Sequence, residues 1–160
     1  MSVSKLTYSV ALPVIKSDNS DIPYPQVLST GTSTASGASI LVNSAADFVT
    51  LDVRPGDIIY NTTDNTTATV LRVISATQIS INANIFTAAA KAYTIYQANS
   101  FSGFVNDGCI LYVGGGGTVV ATTLGGNIVT FAGVPAGTIL PVQVTKLASA
   151  STATSVIALW

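Results

Sequence analysis

Histidine and glutamate are absent from this chain, and six lysines and arginines stand against seven aspartates, for a formal net charge of −1. Without histidine, the one side chain that ordinarily titrates near neutrality is missing, and with it the commonest general base and metal ligand. A single cysteine, Cys109, excludes a disulfide within the chain. It lies in the apolar run Cys109-Ile110-Leu111-Tyr112-Val113 with no basic residue beside it. Such a thiol reads as a small buried hydrophobe rather than a nucleophile. Charged residues make up 8% of the chain, where about a quarter is usual. The cations Lys5, Lys16, Arg54, Arg72, Lys91 and Lys146 are scattered, too sparse to neutralise a phosphate backbone. No run approaches the roughly twenty apolar residues of a helical membrane span. Met1 to Ile15 has a short apolar run broken by Thr7 and Ser9 and is expected to be mature sequence rather than a cleaved signal.

What remains is a chain of 160 residues that is 48% hydrophobic, enough for one domain or two small ones. Its polar surface must come from Ser, Thr, Asn and Gly. Glutamate is absent and the helix-forming charged residues Lys and Arg total six, whereas Thr, Val and Ile with thirteen glycines favour short strands joined by tight turns. The expectation is an all-β protein of two modules, an SH3-like barrel preceded by an extended arm and followed by a β-sandwich.

Residues 1–26 form the expected arm. It ends in Ile22-Pro23-Tyr24-Pro25-Gln26, where two prolines hold the backbone extended. Such an arm packs on its own body or reaches a neighbouring subunit; in an assembly the second is expected, and deleting it would leave a folded body. Residues 27–98 form the barrel, with strands near Ser39-Ile40-Leu41-Val42, at Asp57 to Asn61, Thr69 to Ile74, Thr77 to Asn82 and Ala92 to Tyr96. Pro55-Gly56 marks a turn, and Asp64-Asn65 tolerates the positive φ of a tight hairpin. In Thr77 to Asn82 the alternation points Ile79 and Ile81 to one core. Phe86 to Lys91 reads as a single helical turn, and Gln97 to Gly108 as the boundary between modules. Residues 99–160 form the second module, with strands at Cys109 to Val113, Thr118 to Thr122, Asn127 to Phe131, Ile139 to Lys146 and Ser155 to Trp160. The connectors are Gly114 to Gly117, Gly125-Gly126 and Pro135-Ala136-Gly137. The apolar C-terminal strand is expected to be buried.

Several patterns resemble sites and have plainer explanations. The four glycines would need a following helix to cradle phosphate; Thr118-Val119-Val120 is a strand, so a hairpin turn is expected. Asn61-Thr62-Thr63 and Asn65-Thr66-Thr67 match the glycan-acceptor sequon. Asp57, Asp64 and Asn65 suggest a hard-cation site, and Asp52 and Asp57 flank Arg54, but Thr-rich turns produce such patterns by chance. The aromatics Tyr93, Tyr96, Phe101, Tyr112, Phe131 and Trp160 read as core rather than a sugar-stacking platform. No catalytic, cofactor-binding or metal-binding residue is assigned, and no enzymatic activity is expected.

From Asp107 to Trp160 the chain resembles the head-spike base proteins of tailed phages and gene transfer agents, including related capsid-surface proteins of marine phages. The resemblance is carried by Leu111-Tyr112-Val113-Gly114, the Gly-Gly turn before Ile128-Val129-Thr130-Phe131, Val134 to Thr138, Leu140 to Val144, and the terminal block Thr152 to Trp160. Ser39 to Tyr96, centred on Gly56-Asp57-Ile58-Ile59-Tyr60-Asn61-Thr62-Thr63, resembles a β module that recurs in phage virion proteins. The resemblance implies a structural protein on the capsid surface of a virion, a decoration or head-spike base subunit without cofactor. Its expected partners are the major capsid protein, neighbouring copies of itself as a homo-oligomer, and a spike or fibre protein, with no nucleic acid and no membrane. The alternative is a tail or fibre adhesin that recognises host glycans.

Overall fold

The computed structural model describes residues 8–98 and 107–160. Most of the expected boundary segment, Phe101 included, lies outside the described residues. Within them the protein is all-β, with twelve strands in two six-stranded sheets and no helix.

The first sheet contains β2 (Val27–Thr32), β3 (Ile40–Val42), β4 (Ile58–Asn61), β5 (Thr66–Ser75), β6 (Gln78–Ile81) and β7 (Ala92–Tyr96). Their order is β2-β7-β4-β5-β6-β3. The sheet curls into a half-barrel, and a bridge between Ala35 and Val42 brings the chain after β2 against β3 at the far edge. The core is Leu41, Phe48, Ile59, Val70, Ile79, Ile81, Phe86, Tyr93 and Ile95, with Ile79 and Ile81 inward as their alternation requires. Asn65 sits at the β4–β5 hairpin with φ 52, the left-handed conformation that asparagine tolerates. Every residue of β4 is buried. Ile59 faces this core, while Ile58 and Tyr60 face a second cluster on the opposite side, which explains why Ile58-Ile59-Tyr60 is continuously apolar instead of alternating.

The segment Phe86 to Lys91 is not a helical turn but an irregular stretch of bends. Ala90 has φ 62, incompatible with a right-handed turn. Ser33 organises the segment instead: its backbone carbonyl accepts from Ala90 N at 2.8 Å, and its hydroxyl accepts from Lys91 N at 3.1 Å.

The second sheet contains β1 (Ala11–Pro13), β8 (Cys109–Gly115), β9 (Gly117–Thr123), β10 (Ile128–Val134), β11 (Thr138–Leu147) and β12 (Thr154–Leu159), in the order β1-β12-β8-β11-β9-β10. β11 divides its length between two neighbours. Thr138 to Leu140 and Val144 pair with β8, and Val144 to Leu147 pair with β9, so that Val144 has a neighbour on each side. Pro141, which has no N–H to give a ladder, lies in the irregular stretch that shifts the register with β8 between Leu140 and Val144. The inner residues Cys109, Leu111, Val113, Val119, Ala121, Val144, Leu147, Val156 and Ala158 of this sheet meet in one core.

The glycine run Gly114 to Gly117 does not make a hairpin. β8 and β9 are not neighbours in the sheet, and the run carries the chain across from one to the other. A Cβ on Gly117 would lie 2.6 Å from Ala153 N and one on Gly116 3.0 Å from Val134 O, so glycine here permits backbones to cross closely.

Residues 8–26 pack on the chain's own body. β1 pairs antiparallel with β12, Leu12 opposite Ala158. Ser17 N donates to Leu147 O at 2.8 Å and Ile22 N to Thr145 O at 2.7 Å. Ile22 enters the second core. On the other side, Asn82 Nδ2 donates to Asn19 O at 2.9 Å and Thr69 Oγ1 bonds Ser20 Oγ at 3.1 Å. The arm thus lies between the modules, where Leu12, Ile58, Tyr60 and Tyr96 form a third buried cluster with Ile15 and Trp160 against it. The Tyr60 and Tyr96 rings meet edge to face at 5.2 Å, as do Tyr24 and Trp160 at 5.5 Å.

Candidate functional site

The residues that sequence patterns singled out are held apart by the fold. Asp57 and Asp64-Asn65 flank β4 at its two ends. Asp57 Oδ2 accepts from Arg54 N at 2.8 Å and Oδ1 from Ala98 N at 3.0 Å, so the carboxylate closes the turn before β4. Burial pushes its pKa up against the opposing pull of those two amides. Asp52 holds the Arg54 guanidinium through two bonds of 3.0 and 2.6 Å. This pair is exposed on both sides and contributes little to stability. Asp64 bonds Lys91 Nζ at 2.8 Å, and that bond, more than any other, draws its pKa down. Among the described residues no three His, Cys, Asp or Glu side chains gather in a metal-holding group.

The two sequons separate by burial. Asn61 is fully buried: its Nδ2 donates to Ile85 O at 2.7 Å and Asp64 Oδ2 at 2.9 Å, and its Oδ1 accepts from Thr63 N and Asp64 N. That side chain is a clamp for the β4–β5 turn and is inaccessible to modification. Asn65 is exposed at the turn itself. Cys109 is buried, its Sγ 3.6 Å from Val144 O, and burial pushes the thiol up to about 12, which leaves it protonated and unreactive. Tyr93 and Tyr96 are buried, and Tyr112, Phe131 and Trp160 are partly so.

What the surface offers is backbone and apolar side chain rather than charge. A groove of about 780 Å³ runs between β2 and the 43–51 loop, with Leu28, Ala46, Asp47 and Leu51 among its walls. In the second module β10 is the last strand of its sheet, and Ile128 on it is 75% exposed. The sequence marks this strand but not its place at the edge, which depends on β11 inserting between β8 and β9. No sequence signal marks it: no charged residue occurs between Asp107 and Lys146, so the strand lacks the charge with which exposed edges usually discourage pairing. The described residues contain no helix long and apolar enough to cross a membrane. Comparison of the chain with protein-family models, curated proteins and solved structures found no match.

Proposed function

We propose that this chain is a virion structural protein, a capsid decoration or head-spike base subunit attached to the outside of a tailed-phage-type capsid. The observation that carries the reading is the resemblance from Asp107 to Trp160, whose most specific block, Thr152 to Trp160, forms strand β12, between β1 and β8, and its approach. The surface supports it. With a net charge of −1 and exposed apolar residues such as Val49, Leu71, Ile128 and Ile139, close neighbours meet little electrostatic repulsion. The partners would be the major capsid protein, further copies of this chain, and a spike or fibre protein. Glycan recognition by a tail or fibre adhesin is favoured less, because Tyr8, at 40%, is the one markedly exposed aromatic among the described residues and stacking on sugars needs open rings.

The test is to mix the purified chain with capsids that lack it and reconstruct the particles by electron microscopy. Added density on the outer shell at symmetry-related positions is expected. Since charge contributes little, occupancy should be nearly the same at about 50 mM and 500 mM salt, a range over which screening changes severalfold. Bare capsids at saturating protein would overturn the reading.

A further inference from the structure

β10 presents an unblocked hydrogen-bonding edge whose geometry follows from its ladder with β9. Thr123 N donates to Asn127 O at 2.8 Å, which makes these two a hydrogen-bonded pair. Pairs in an antiparallel ladder alternate between bonded and non-bonded. With Ile128 opposite Thr122, Val129 opposite Ala121, Thr130 opposite Val120 and Phe131 opposite Val119, the bonds to β9 fall to Val129 and Phe131. Val120 agrees, since its N–H goes to Ser151 Oγ at 2.9 Å and its carbonyl accepts from Ala148 N at 2.8 Å, both away from β10. Ile128 and Thr130 therefore turn their N–H and C=O groups outward, and their side chains are exposed as well.

The other sheet ends differ. β1 is three residues long and ends in Pro13; β3 is three residues long and is bridged to Ala35. β2 runs beside a groove whose wall includes Asp47. Only β10 combines seven residues with a charge-free surrounding sequence.

We infer that β10 docks against β10 of a second copy of this chain, the two strands pairing antiparallel about a two-fold axis at Val129. Ile128 then lies opposite Thr130 of the second copy and Thr130 opposite its Ile128, so that each outward residue meets an outward residue. Both Ile128 side chains come onto one face, each beside a Thr130. A second copy is the occupant because a two-fold contact is self-complementary and closes, and because β10 itself carries no charge that a charged partner would engage or that a copy would repel. The irregularity between Phe131 and Val134 ends the pairing after one short stretch. Such a contact buries well under the roughly 1,200 Å² of a stable complex, so association is weak in free solution and becomes firm only where many copies are held together. The inference names the partner for copy-to-copy contact under the proposed function and deepens that reading.

It is tested on the free full chain by sedimentation equilibrium between about 10 µM and 1 mM, the range in which a contact of only a few kcal/mol becomes populated. The intact chain should show a monomer–dimer equilibrium. Ile128→Lys puts like charges diagonally across the two-fold axis on one face at an already exposed position, and Thr130→Pro removes one outward N–H without touching a bond to β9. Each should weaken association at least about tenfold, with the thermal midpoint of Ile128→Lys unchanged. An intact chain that stays monomeric at about 1 mM, or an Ile128→Lys variant that associates like the intact chain, overturns the inference. No capsid enters this measurement, so its failure leaves the particle reading to be judged by decoration alone.

Discussion

Leu12 and Ile22 carry the arm's attachment to the body, and alanine at each tells an integral arm from a passive one. Leu12 is 7% exposed in the cluster between the modules, and Ile22 is 3% exposed in the core of the second. Removing three carbons from a buried Leu or Ile costs about 2–5 kcal/mol through lost burial and the cavity left behind, so about 3 kcal/mol is expected at each. The two side chains lie in different clusters, and the losses should add to within about 0.5 kcal/mol. The sum, about 6 kcal/mol, is comparable with the whole stability of a small domain, about 5–15 kcal/mol. The assay is urea unfolding followed through Trp160, the only tryptophan. Its ring lies at the seam against Tyr24, so emission should shift to longer wavelength as the arm leaves. Deleting residues 1–26, which strips β12 of its β1 neighbour as well, should destabilise the body rather than release a folded one. If both alanine variants unfold within about 0.5 kcal/mol of the parent, the usual range for surface changes, the arm contributes nothing to the body and the reasoning fails.

Asn61→Ala should lose about 2–4 kcal/mol, because two donor and two acceptor contacts of a buried amide vanish together; denaturant melts check it. Cys109 should resist a thiol-specific alkylating reagent at neutral pH in the native protein and react fully in denaturant, given its burial and raised pKa; rapid native labelling would contradict the structure. Asp18, Asp47 and Asp64 have pKa values lowered, first by the Ser149 hydroxyl, the Thr50 amide and Lys91 respectively. Their contribution is present above the unfolded value of about 4 and is lost as pH falls through the lower folded values, so the thermal midpoint should drop on acidification below about pH 4. Asp57, raised by burial, acts in the opposite sense. Its contribution is present below about pH 4 and is lost as pH rises through its folded value. Asp64→Asn should flatten the acid limb of the midpoint-against-pH profile, and an unchanged limb would remove Asp64 from the account.

Local order was legible along the chain. Val, Ile and Thr runs between turn residues marked ten of the twelve strands, for example β6, where Ile79 and Ile81 alternate with polar neighbours, and the β4–β5 hairpin, where Asn65 takes the positive φ its side chain tolerates. β1 and β2 escaped notice for a physical reason. Ala11–Pro13 is too short and contains a proline, and Val27–Thr32 contains Ser, Thr and Gly; each becomes a strand only because a neighbour supplies its ladder. Phe86 to Lys91 looked helical by composition, yet long-range bonds from Ser33 set its backbone.

Scarce charge, the lack of histidine and the strand-rich composition were determined by sequence alone, because they depend on residue type and near neighbours. Which strands become neighbours was decided only by tertiary structure. Gly114 to Gly117 reads as a hairpin turn in the sequence, and its use as a close crossing instead rests on Ala153 and Val134, which approach it from outside the run. Likewise nothing within residues 1–26 says whether they leave the body or lie on it; the apolar faces of β4, β7 and β12, assembled from distant segments, make the slot that Leu12 fills. Edge position is also a property of the assembled sheet, and β10 is left with its amides open because β11 reaches β9 from the other side.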